Sequence, residues 1–433
     1  MSQILKSKAW PYLVAIGAIV VVCSAVAVFL VRDGQQLPFQ SSITRDSITI
    51  EIVETAPAGL DNPNIRNTPD VWRELAENAT QSMDIEIYTI YRYSYGPIYD
   101  FHQAIYKAAA RGVRVRMLID NEIFQYTDPE TGQQPTRELM DEFDANENIE
   151  VRQLSEPMHS KVIIVDNKMA YVGSANQSTT AMDSNREVGL VIHGDVVTMG
   201  LEAIFEAGWS ENENQPYAMG LWPVDWLRLV ATPIKTPNWV PTTEETIVSL
   251  INSAQKTVHA FVYVFSGSPY TLSSAVEDAA NRGVNVQIIV DVGYRDYGVL
   301  DMLTENPNIQ IKTVDLGGYS AEHAKTVIVD GQKAYVGSAN WTQMSMRERR
   351  EIGIVFEDQT LASALETVFG TDWGSRYAIW VKEPGSFMIF YVAIVVVVGV
   401  AIAVTIVLLR RGARKKFKKI LRAEFWASGR GET

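Results

Sequence analysis

Two stretches of this 433-residue chain carry the same chemically active residue types at the same spacing. They are MHSKVIIVDNKMAYVGSAN at 158–176 and EHAKTVIVDGQKAYVGSAN at 322–340, related by a constant offset of 164 residues. The shared residues are His159, Lys161, Asp166, Gly173, Ser174 and Asn176 in the first stretch, and His323, Lys325, Asp330, Gly337, Ser338 and Asn340 in the second. This repetition predicts a duplicated chain in which each copy supplies half of one site.

The side chains predict a site for a phosphate diester. KVIIV and KTVIV read as short buried strands, on which residues i and i+2 point to the same face, so the imidazole and the ammonium of each copy project together. Ammonium and amide groups bind non-bridging phosphate oxygens, and imidazole has a suitable pKa to attack phosphorus or to transfer a proton. A metal site is disfavoured because a lysine stands beside each supposed histidine ligand. We therefore predict neither a metal nor a cofactor.

The remainder of each stretch predicts a hairpin that supports this site. DNKMAYVG and DGQKAYVG predict a tight turn led by Asp166 or Asp330, followed by a second strand. Gly173 and Gly337 end that strand and are expected to let the chain turn closely past the site, which presents the asparagine. The serine after each glycine could bind either the phosphate or the turn.

The spacing His-x-Lys-x4-Asp-x6-Gly-Ser-x-Asn resembles the signature of the phospholipase D superfamily, and both copies match it in full. The resemblance implies a two-step, metal-independent mechanism. One histidine attacks phosphorus to form a phosphohistidine; the other protonates the leaving oxygen and then activates water or an alcohol. It implies His159 as the nucleophile and His323 as the general acid and base, although the sequence leaves the opposite assignment open.

The same resemblance implies roles for further residues. The groups that would hold the phosphate are Lys161, Lys325, Asn176 and Asn340. Glu187 in SNREVG and Glu351 in ERREIG each follow a signature histidine by 28 residues. They look like the superfamily's acids that orient the imidazoles, and the alternative is an ordinary exposed carboxylate on a strand.

Two further segments are similar to a narrower group within the superfamily. IVETAPAGLDNPN and IFEAGWSENENQPYAMGLWP look like the single-span endolysosomal phospholipase D proteins and their poxvirus envelope relatives. That likeness implies an acid 5′ exonuclease or a phosphatidyl transferase. The chain departs from the endolysosomal group because it lacks that group's cysteines, adds a second predicted span and keeps both signatures intact.

The order of predicted elements favours an α/β fold. Helices alternate with apolar strands, and AARGVRVRMLID at 109–120 recurs as ANRGVNVQIIVD at 280–291. We predict a duplicated bilobal phospholipase D-type fold, with two mixed sheets flanked by helices and one active site at the pseudo-twofold interface. The predicted strands lie at 47–54, 83–91, 113–120, 187–192, 256–265 and 284–291, and the predicted helices at 70–82, 98–111, 196–209, 244–255 and 272–283.

Both ends of the chain predict transmembrane helices. Residues 9–31 and 386–409 are uncharged and long enough to cross roughly 30 Å of hydrocarbon. Basic residues precede the first span and follow the second, which places both termini in the cytoplasm and the catalytic body outside. The predicted divisions are a cytoplasmic start (1–8), a span (9–31), a stalk (32–46), a first lobe (47–210), a Trp/Pro-rich connector (211–244) that packs across the seam between lobes, a second lobe (245–380), a span (386–409) and a basic tail (410–433) on anionic lipid.

Charge and cysteine content constrain the part between the spans. Without the flanking basic segments and the two tail acids, 27 basic and 49 acidic residues remain. Such a body disfavours a broad basic surface for nucleic acid, although phosphate can still be bound locally. The single cysteine, Cys23, lies in the first predicted span, so the body contains no disulfide.

The leading hypothesis is a membrane-anchored phosphodiesterase that hydrolyses or transfers phosphatidyl groups of phospholipids. The first alternative is a 5′ exonuclease on single strands, with nucleic acid only as substrate. Bases would then stack on exposed aromatic side chains beside the site. The candidates are Tyr88, Tyr91, Tyr93, Tyr95, Tyr263 and Trp341. The second alternative is a catalytically silent surface scaffold.

Overall fold

The computed structural model describes residues 39–210, 224–232, 242–266, 270–293, 296–314 and 320–382. Both predicted transmembrane segments, 9–31 and 386–409, lie outside these residues. In the part of the chain that is described, no helix is both long and apolar enough to cross a bilayer. The chain divides into a large unit, 1–379, and a smaller one, 380–433. The fold described below is that of the large unit.

The first lobe contains nine strands and six helices within its described residues. Its strands are β1 (Ser42–Arg45), β2 (Ile48–Thr55), β3 (Arg66–Asn67), β4 (Ser82–Ile87), β5 (Arg114–Asp120), β6 (Ile149–Leu154), β7 (Lys161–Val165), β8 (Met169–Gly173) and β9 (Glu187–His193). Its helices are α1 (Thr68–Asn78), α2 (Pro97–Ala110), α3 (Asn121–Gln125), α4 (Pro135–Asp144), α5 (Thr179–Asp183) and α6 (Asp195–Trp209).

The second lobe repeats this plan. Its strands are β10 (Leu227–Ala231), β11 (Thr257–Val262), β12 (Asn285–Asp291), β13 (Ile309–Val314), β14 (Lys325–Val329), β15 (Lys333–Gly337), β16 (Ile352–Glu357) and β17 (Ala378–Trp380). Its helices are α7 (Thr243–Asn252), α8 (Tyr270–Asn281), α9 (Tyr297–Leu303) and α10 (Gln359–Trp373), with a π-helical turn at Met344–Glu348. Part of the predicted connector is thus a strand, β10, which pairs antiparallel with β16.

The sheets of the two lobes have equivalent strand orders. The first is β1-β2-β9-β8-β7-β4-β5-β6, with β3 beside β2, and the second is β10-β16-β15-β14-β11-β12-β13-β17. In each sheet a parallel trio, β4-β5-β6 or β11-β12-β13, continues into antiparallel strands, so both sheets are mixed, as predicted.

One hydrophobic core joins the two lobes. It combines buried side chains of β2, β8 and β9 with those of β15 and β16, and includes the inner faces of α6 and α10. The connector contributes Trp226, which is 3 % exposed and donates from its indole Nε1 to Asp46 in the first lobe at 3.0 Å. Trp226 therefore packs across the seam, as predicted for the connector. Its other tryptophans and prolines lie outside the described residues.

The signature hairpins form where the sequence predicts them, and their aspartates also anchor them to the neighbouring strand. Asp166 adopts a positive φ of 53°, and its carboxylate accepts hydrogen bonds from the amides of Thr80, Gln81 and Ser82 at 2.7–2.9 Å. Burial alone would raise the pKa of Asp166, but these bonds outweigh burial and lower it. Because these amides serve the hairpin, α1 ends at Asn78 rather than at the predicted residue 82.

Asp166→Ala is expected to lower the free energy of unfolding by about 2–4 kcal/mol, because three amides lose a charged acceptor. Asp330→Ala should have a similar effect, since Asp330 accepts from the amides of Gln255, Lys256 and Thr257. Urea denaturation measures both. Asp278→Ala, on the exposed face of α8, is the matched control. Equal stability of Asp166→Ala and the control would contradict the anchoring role.

Candidate active site

The two signature segments are joined to each other by crossed backbone bridges. The His159 amide donates to the Arg350 carbonyl at 2.8 Å, and the His323 amide donates to the Arg186 carbonyl at 3.0 Å. Each arginine amide donates back to the carbonyl two residues before the histidine, at 2.9 Å. The segment that carries one lobe's histidine therefore lies beside the segment that precedes the other lobe's glutamate.

Each imidazole contacts a glutamate from the opposite lobe. Nδ1 of His323 lies 2.8 Å from Oε2 of Glu187. Nδ1 of His159 lies 3.1 Å from Oε2 of Glu351 and 3.0 Å from its Oε1. Both glutamates are fully buried and both histidines nearly so. Since a carboxylate holds Nδ1, the Nε2 atom of each ring is left for the substrate.

The signature serines support the glutamate strands. Ser174 Oγ donates to Glu187 Oε2 at 2.5 Å and accepts from the Val188 amide at 3.1 Å. Ser338 Oγ accepts from the Ile352 amide at 3.0 Å. Both hydroxyls are buried and bonded to the neighbouring strand, so the structure favours neither the predicted phosphate contact nor the predicted turn contact.

The signature lysines lie beside the histidines, as the spacing predicts. Each Nζ donates to the backbone carbonyl of the histidine in its own lobe. Lys161 Nζ lies 5.1 Å from the Tyr88 ring centroid, and Lys325 Nζ lies 4.6 Å from that of Tyr263. These rings contact the imidazoles edge-on, with centroids 4.7 Å apart for Tyr88–His159 and 4.4 Å for Tyr263–His323.

The charges of the two half-sites act on one another. Burial lowers the pKa of His159 to about 3; Glu351 opposes that shift, and both Lys161 and Lys325 add to it. Burial likewise lowers the pKa of His323 to about 4, against Glu187 and with help from both lysines. Each lysine thus acts on both imidazoles, in agreement with the contacts between opposite lobes that bring the two signatures together.

The glutamates and the lysines also shift each other's pKa towards the charged form. Burial would raise the pKa of Glu187 and Glu351, but the neighbouring imidazole and lysine outweigh it, so both carboxyl pKa values are lowered. Burial lowers the pKa of Lys325 to about 8, although Glu187 and Glu351 oppose that shift. Near neutral pH the site therefore holds two carboxylates, neutral imidazoles and at least one ammonium.

The signature asparagines lie three residues after β8 and β15, beside the segments that carry Tyr88 and Tyr263. The chain after Asn176 pairs with the segment following β4 through the Gln177 amide and the Thr89 carbonyl, at 3.0 Å. The chain after Asn340 pairs equivalently beside β11. Among the described residues, Oδ1 of Asn176 and Oδ1 of Asn340 are buried and accept no hydrogen bond. These oxygens can only accept hydrogen bonds, so in each asparagine it is the Nδ2 group that can donate to a phosphate oxygen.

The signature glycines end β8 and β15, as predicted, and close packing accounts for the residue type. Neither has a positive φ among the described residues. A Cβ at Gly173 would lie 2.4 Å from the Tyr171 hydroxyl and 2.7 Å from the Cα of Gly189 on the adjacent strand. Gly337 stands in the same relation to Tyr335 and its own neighbouring strand. Glycine at these positions makes room for a buried tyrosine beneath the glutamate.

Sequence reasoning missed several residues that position the histidines. Asp120 Oδ2 accepts from the Met158 amide at 2.7 Å, and Asp291 Oδ2 accepts from the Glu322 amide at 3.0 Å. Each aspartate therefore holds the residue immediately before a signature histidine. Both end the repeated segments 109–120 and 280–291, so their equivalence in the duplication was the available signal.

Two buried arginines were also missed, although both lie in the segments SNREVG and ERREIG. Arg186 pairs with Glu54 at 2.5 Å and with Asp372 at 2.6 Å. Arg350 pairs with Glu86 at 2.5 Å. Both side chains are fully buried, and their backbones form the crossed bridges to the histidine segments. Loss of one member of such a buried pair would leave an uncompensated charge in the core.

The aromatic candidates occupy three different environments. Trp341 is 2 % exposed and packs edge-on against Phe265, so it belongs to the core. Tyr88 and Tyr263 are half-buried against the imidazoles. Tyr91 and Tyr95 are exposed by 45 % and 83 %, while half-buried Tyr93 accepts from the Thr179 amide through its hydroxyl at 3.1 Å.

The family described as "Cardiolipin synthase, PLD-like domain" matches the chain twice, at residues 73–209 and 247–373. The matches cover more than half of the chain, and each contains one signature. The chain belongs to the phospholipase D superfamily.

Individual members of the superfamily match most of the chain. It is 25 % identical to phospholipase D Z of Dictyostelium discoideum, over 80 % of this chain and 94 % of that protein. It is 25 % identical to the virion nicking-joining enzyme of vaccinia virus strain Western Reserve, over 77 % of this chain and 89 % of that protein. It is 22 % identical to the human 5′-3′ exonuclease PLD4, over 77 % of this chain and 79 % of that protein.

A solved structure shares the fold. The phosphatidylserine synthase of Haemophilus influenzae matches with a TM-score of 0.60 and 12 % identity, over 80 % of this chain and 89 % of that one. The predicted superfamily and the predicted enzyme class, a phospholipase D-type phosphodiesterase, are therefore confirmed. The roles assigned to individual side chains stay predictions.

Proposed function

We propose that this member of the superfamily cleaves phosphodiesters through a phosphohistidine, and that it hydrolyses or transfers phosphatidyl groups of phospholipids. The observation that carries the proposal is the pair of buried imidazoles, each held at Nδ1 by a glutamate of the opposite lobe and each influenced by both signature lysines. The arrangement suits a tetrahedral anion bound between two equivalent half-sites.

In the first step, Nε2 of His159 attacks phosphorus, and the bond from phosphorus to the leaving oxygen breaks. The leaving oxygen takes a proton from Nε2 of His323. In the second step, His323 removes a proton from water or an alcohol, whose oxygen attacks the same phosphorus as the phosphorus–nitrogen bond breaks. Lys161, Lys325, Asn176 and Asn340 stabilise charge on the non-bridging oxygens.

The order of the two histidines follows the resemblance, because both imidazoles have equivalent contacts. Burial lowers the pKa of both His159 and His323, so either ring can offer an unprotonated Nε2. Trapping the phosphoenzyme in the two histidine variants decides which ring attacks.

Lipid as the substrate is favoured by similarity to proteins named phospholipase D and by the two predicted spans, which would hold the site near headgroups. The predicted topology, with cytoplasmic termini and an extracytoplasmic catalytic body, belongs to the same proposal. Protease protection of the two ends in sealed vesicles tests it, because exposure of the basic tail outside would reverse the orientation.

A 5′ exonuclease is the second candidate, favoured by similarity to the nicking-joining enzyme and to the 5′-3′ exonucleases. In the structure, exposed Tyr91 and Tyr95 follow the strand that ends beside Tyr88. Exposed aromatic rings near a phosphodiester site can stack unpaired bases.

The deciding experiment supplies the purified full-length protein with a phospholipid plus an acceptor alcohol and, separately, with a 5′-hydroxyl oligonucleotide. We expect lipid turnover and its loss in His159→Ala. Cleavage of the oligonucleotide without lipid turnover would establish the second candidate instead. Absence of turnover in both assays would overturn both and favour the scaffold alternative.

The kcat/KM is expected to rise as pH falls from 7 towards about 4. The acid in the first step must be protonated, and burial lowers the pKa of His323 to about 4, so its protonated fraction grows as the pH is lowered. Below about 3, His159 also gains a proton and loses its nucleophilic lone pair. A pH profile with an alkyl-alcohol leaving group measures this effect.

A nitrophenyl ester is the control for this pH profile, because its leaving group departs without a proton and should give a flatter acid dependence. Circular dichroism over the same pH range separates titration from unfolding. A kcat/KM that is constant from pH 7 to 4 with the alkyl ester would contradict the role of His323.

A further inference from the structure

The two half-sites differ at the residue two places before each glutamate. Asn185 and Arg349 are related by the 164-residue offset. Their backbone amides make equivalent hydrogen bonds, each to the carbonyl five residues earlier in the chain. The Asn185 amide donates to the Thr180 carbonyl at 2.8 Å, and the Arg349 amide donates to the Met344 carbonyl at 2.8 Å. The asymmetry therefore lies in the side chains.

These side chains have different partners. Asn185 Nδ2 donates to Oε1 of Glu187 at 3.0 Å and so helps to fix the acid of the first lobe. The Arg349 guanidinium instead lies over the Tyr88 ring, with Cζ 5.3 Å from the ring centroid. Because Tyr88 packs against His159, Arg349 adds a cation to one side of an otherwise pseudo-symmetric site.

Apart from its contacts with Tyr88, Arg349 makes one long ion pair with the residues that the structure describes. Its side chain is 18 % exposed and pairs at 3.3 Å with Glu122, whose own side chain is 64 % exposed. Its Nε is buried and has no hydrogen-bond partner in the described part of the chain. An exposed pair of this kind contributes little and can be replaced by a stronger anion, and guanidinium binds phosphate oxygens in a bidentate manner.

Arg349 is one of the residues that line a cleft of about 500 Å³. The cleft is also lined by the signature residue Asn340, together with Val264, Met344 and Glu348. The volume falls in the range of pockets that hold small ligands, roughly 300–1,000 Å³. A substrate with its scissile phosphate at Asn340 can therefore extend towards Arg349 without leaving the protein surface.

We propose that Arg349 binds a second phosphate of the substrate, next to the scissile phosphodiester, in the cleft shared with Asn340. The inference deepens the proposed function and rests on it. Two equivalent half-sites cannot by themselves distinguish the two sides of a phosphodiester, and one added cation fixes the direction in which the substrate lies. Adjacent phosphates of an oligonucleotide and a second phosphate in a lipid headgroup share this chemistry.

The test measures kcat/KM of the full-length protein on matched substrates with and without the second phosphate. The nucleotide pair is the p-nitrophenyl ester of thymidine 5′-phosphate with a 3′-hydroxyl or a 3′-phosphate. The lipid pair is phosphatidylglycerol and phosphatidylglycerol phosphate in neutral vesicles. Arg349→Asn is expected to lower kcat/KM for the doubly phosphorylated member about 10- to 100-fold more than for its partner, as for the loss of a charge-assisted hydrogen bond.

The choice of asparagine keeps the variant interpretable. Asn185 shows that asparagine suits this backbone, and at position 349 it can donate to Oε1 of Glu351, which lacks a well-aligned donor among the described residues. Arg347→Asn is the matched control, because it removes the same charge from a side chain that pairs with Glu244 at 2.8 Å. Arg349→Lys should restore part of the preference but not the bidentate contact.

A binding measurement tests the role of Arg349 separately from the proposed catalytic activity. Titration calorimetry with thymidine 3′,5′-bisphosphate and thymidine 5′-phosphate is expected to show weaker binding of the bisphosphate alone in Arg349→Asn. An equal loss for both members of each pair, or the same selective loss in Arg347→Asn, would overturn the inference while leaving the phosphodiesterase proposal in place. Absence of turnover in every wild-type assay, with selective bisphosphate binding intact, would overturn the proposed function alone.

Discussion

His159→Ala is expected to lower kcat by about 10⁴-fold or more and to abolish the covalent phosphoenzyme, because it removes the proposed nucleophile. His323→Ala is expected to lower kcat by about 10²- to 10⁴-fold on substrates with poor leaving groups. With a nitrophenyl ester, the first step needs no acid, and His323→Ala should accumulate the phosphoenzyme because no base activates water. Rapid acid quenching followed by intact-protein mass measurement detects the adduct.

His193→Ala is the control for both histidine variants, since His193 is exposed at the end of β9. The opposite pattern, an adduct in His159→Ala and none in His323→Ala, would exchange the two roles. If the wild type and both variants form no adduct under conditions of turnover, a covalent mechanism is contradicted.

Glu351→Gln is expected to impair the step carried out by His159, and Glu187→Gln the step carried out by His323, each with a fall in kcat of roughly 10³- to 10⁴-fold. The magnitude is that for an imidazole losing the carboxylate that fixes its tautomer and stabilises its charge. The assignment follows from the contacts between opposite lobes at Nδ1. With a nitrophenyl ester, Glu187→Gln should therefore accumulate the phosphoenzyme, whereas Glu351→Gln should form it slowly.

This pattern shows whether each glutamate acts on the histidine of the opposite lobe or on that of its own lobe. If each glutamate served the histidine of its own lobe, Glu351→Gln would accumulate the adduct instead. Glu77→Gln, on the exposed face of α1, removes a carboxylate elsewhere and provides the control. Thermal unfolding of both buried variants is measured in parallel, so that a loss of activity through unfolding is recognised.

The sequence predicted those residues of the site that occur at the same position in both copies. His159 and His323 stand at the same place in two copies, and their types and spacing identified the phosphate chemistry before any fold was known. The partners of these residues could not be predicted, because a spacing of 28 residues within one copy favours contact with the nearer glutamate. The fold exchanges them: the backbone bridges to Arg186 and Arg350 bring each histidine to the acid of the other copy.

The fold was predictable where strands are buried on both faces. KVIIV and KTVIV each follow a lysine with a mostly apolar run, and they form the strands β7 and β14 that they predict, buried at every residue. The segment IEVRQL forms β6 although only its two ends, Ile149 and Leu154, are buried. Its alternation of apolar and polar residues covers only Ile-Glu-Val-Arg, and the segment is absent from the predicted strands. LRLVA in the connector forms β10 only because the edge of β16 is available to pair with it, a property of the assembled sheet.

Arg349 is a residue that differs between the two copies and could not be predicted from their similarity. It precedes Arg350 and Glu351 in ERREIG, and its counterpart in SNREVG is an uncharged asparagine. A comparison of the two copies identifies residues that are the same in both, so it does not select Arg349. The structure places that difference over Tyr88, beside a cleft that reaches Asn340. Differences between copies at one interface can therefore locate the part of a duplicated site that selects the substrate.

The exchange of glutamates between the lobes has a consequence for the history of such a chain. After duplication, two copies of a gene segment are ordinarily free to drift apart, with one keeping the activity while the other changes. Here a change at Glu187 is felt at His323, and a change at Glu351 is felt at His159, so neither copy can decay without inactivating the catalytic group that its sister encodes. Selection on one reaction therefore preserves both halves, and the copies can diverge at positions outside the exchanged pairs, such as 185 and 349.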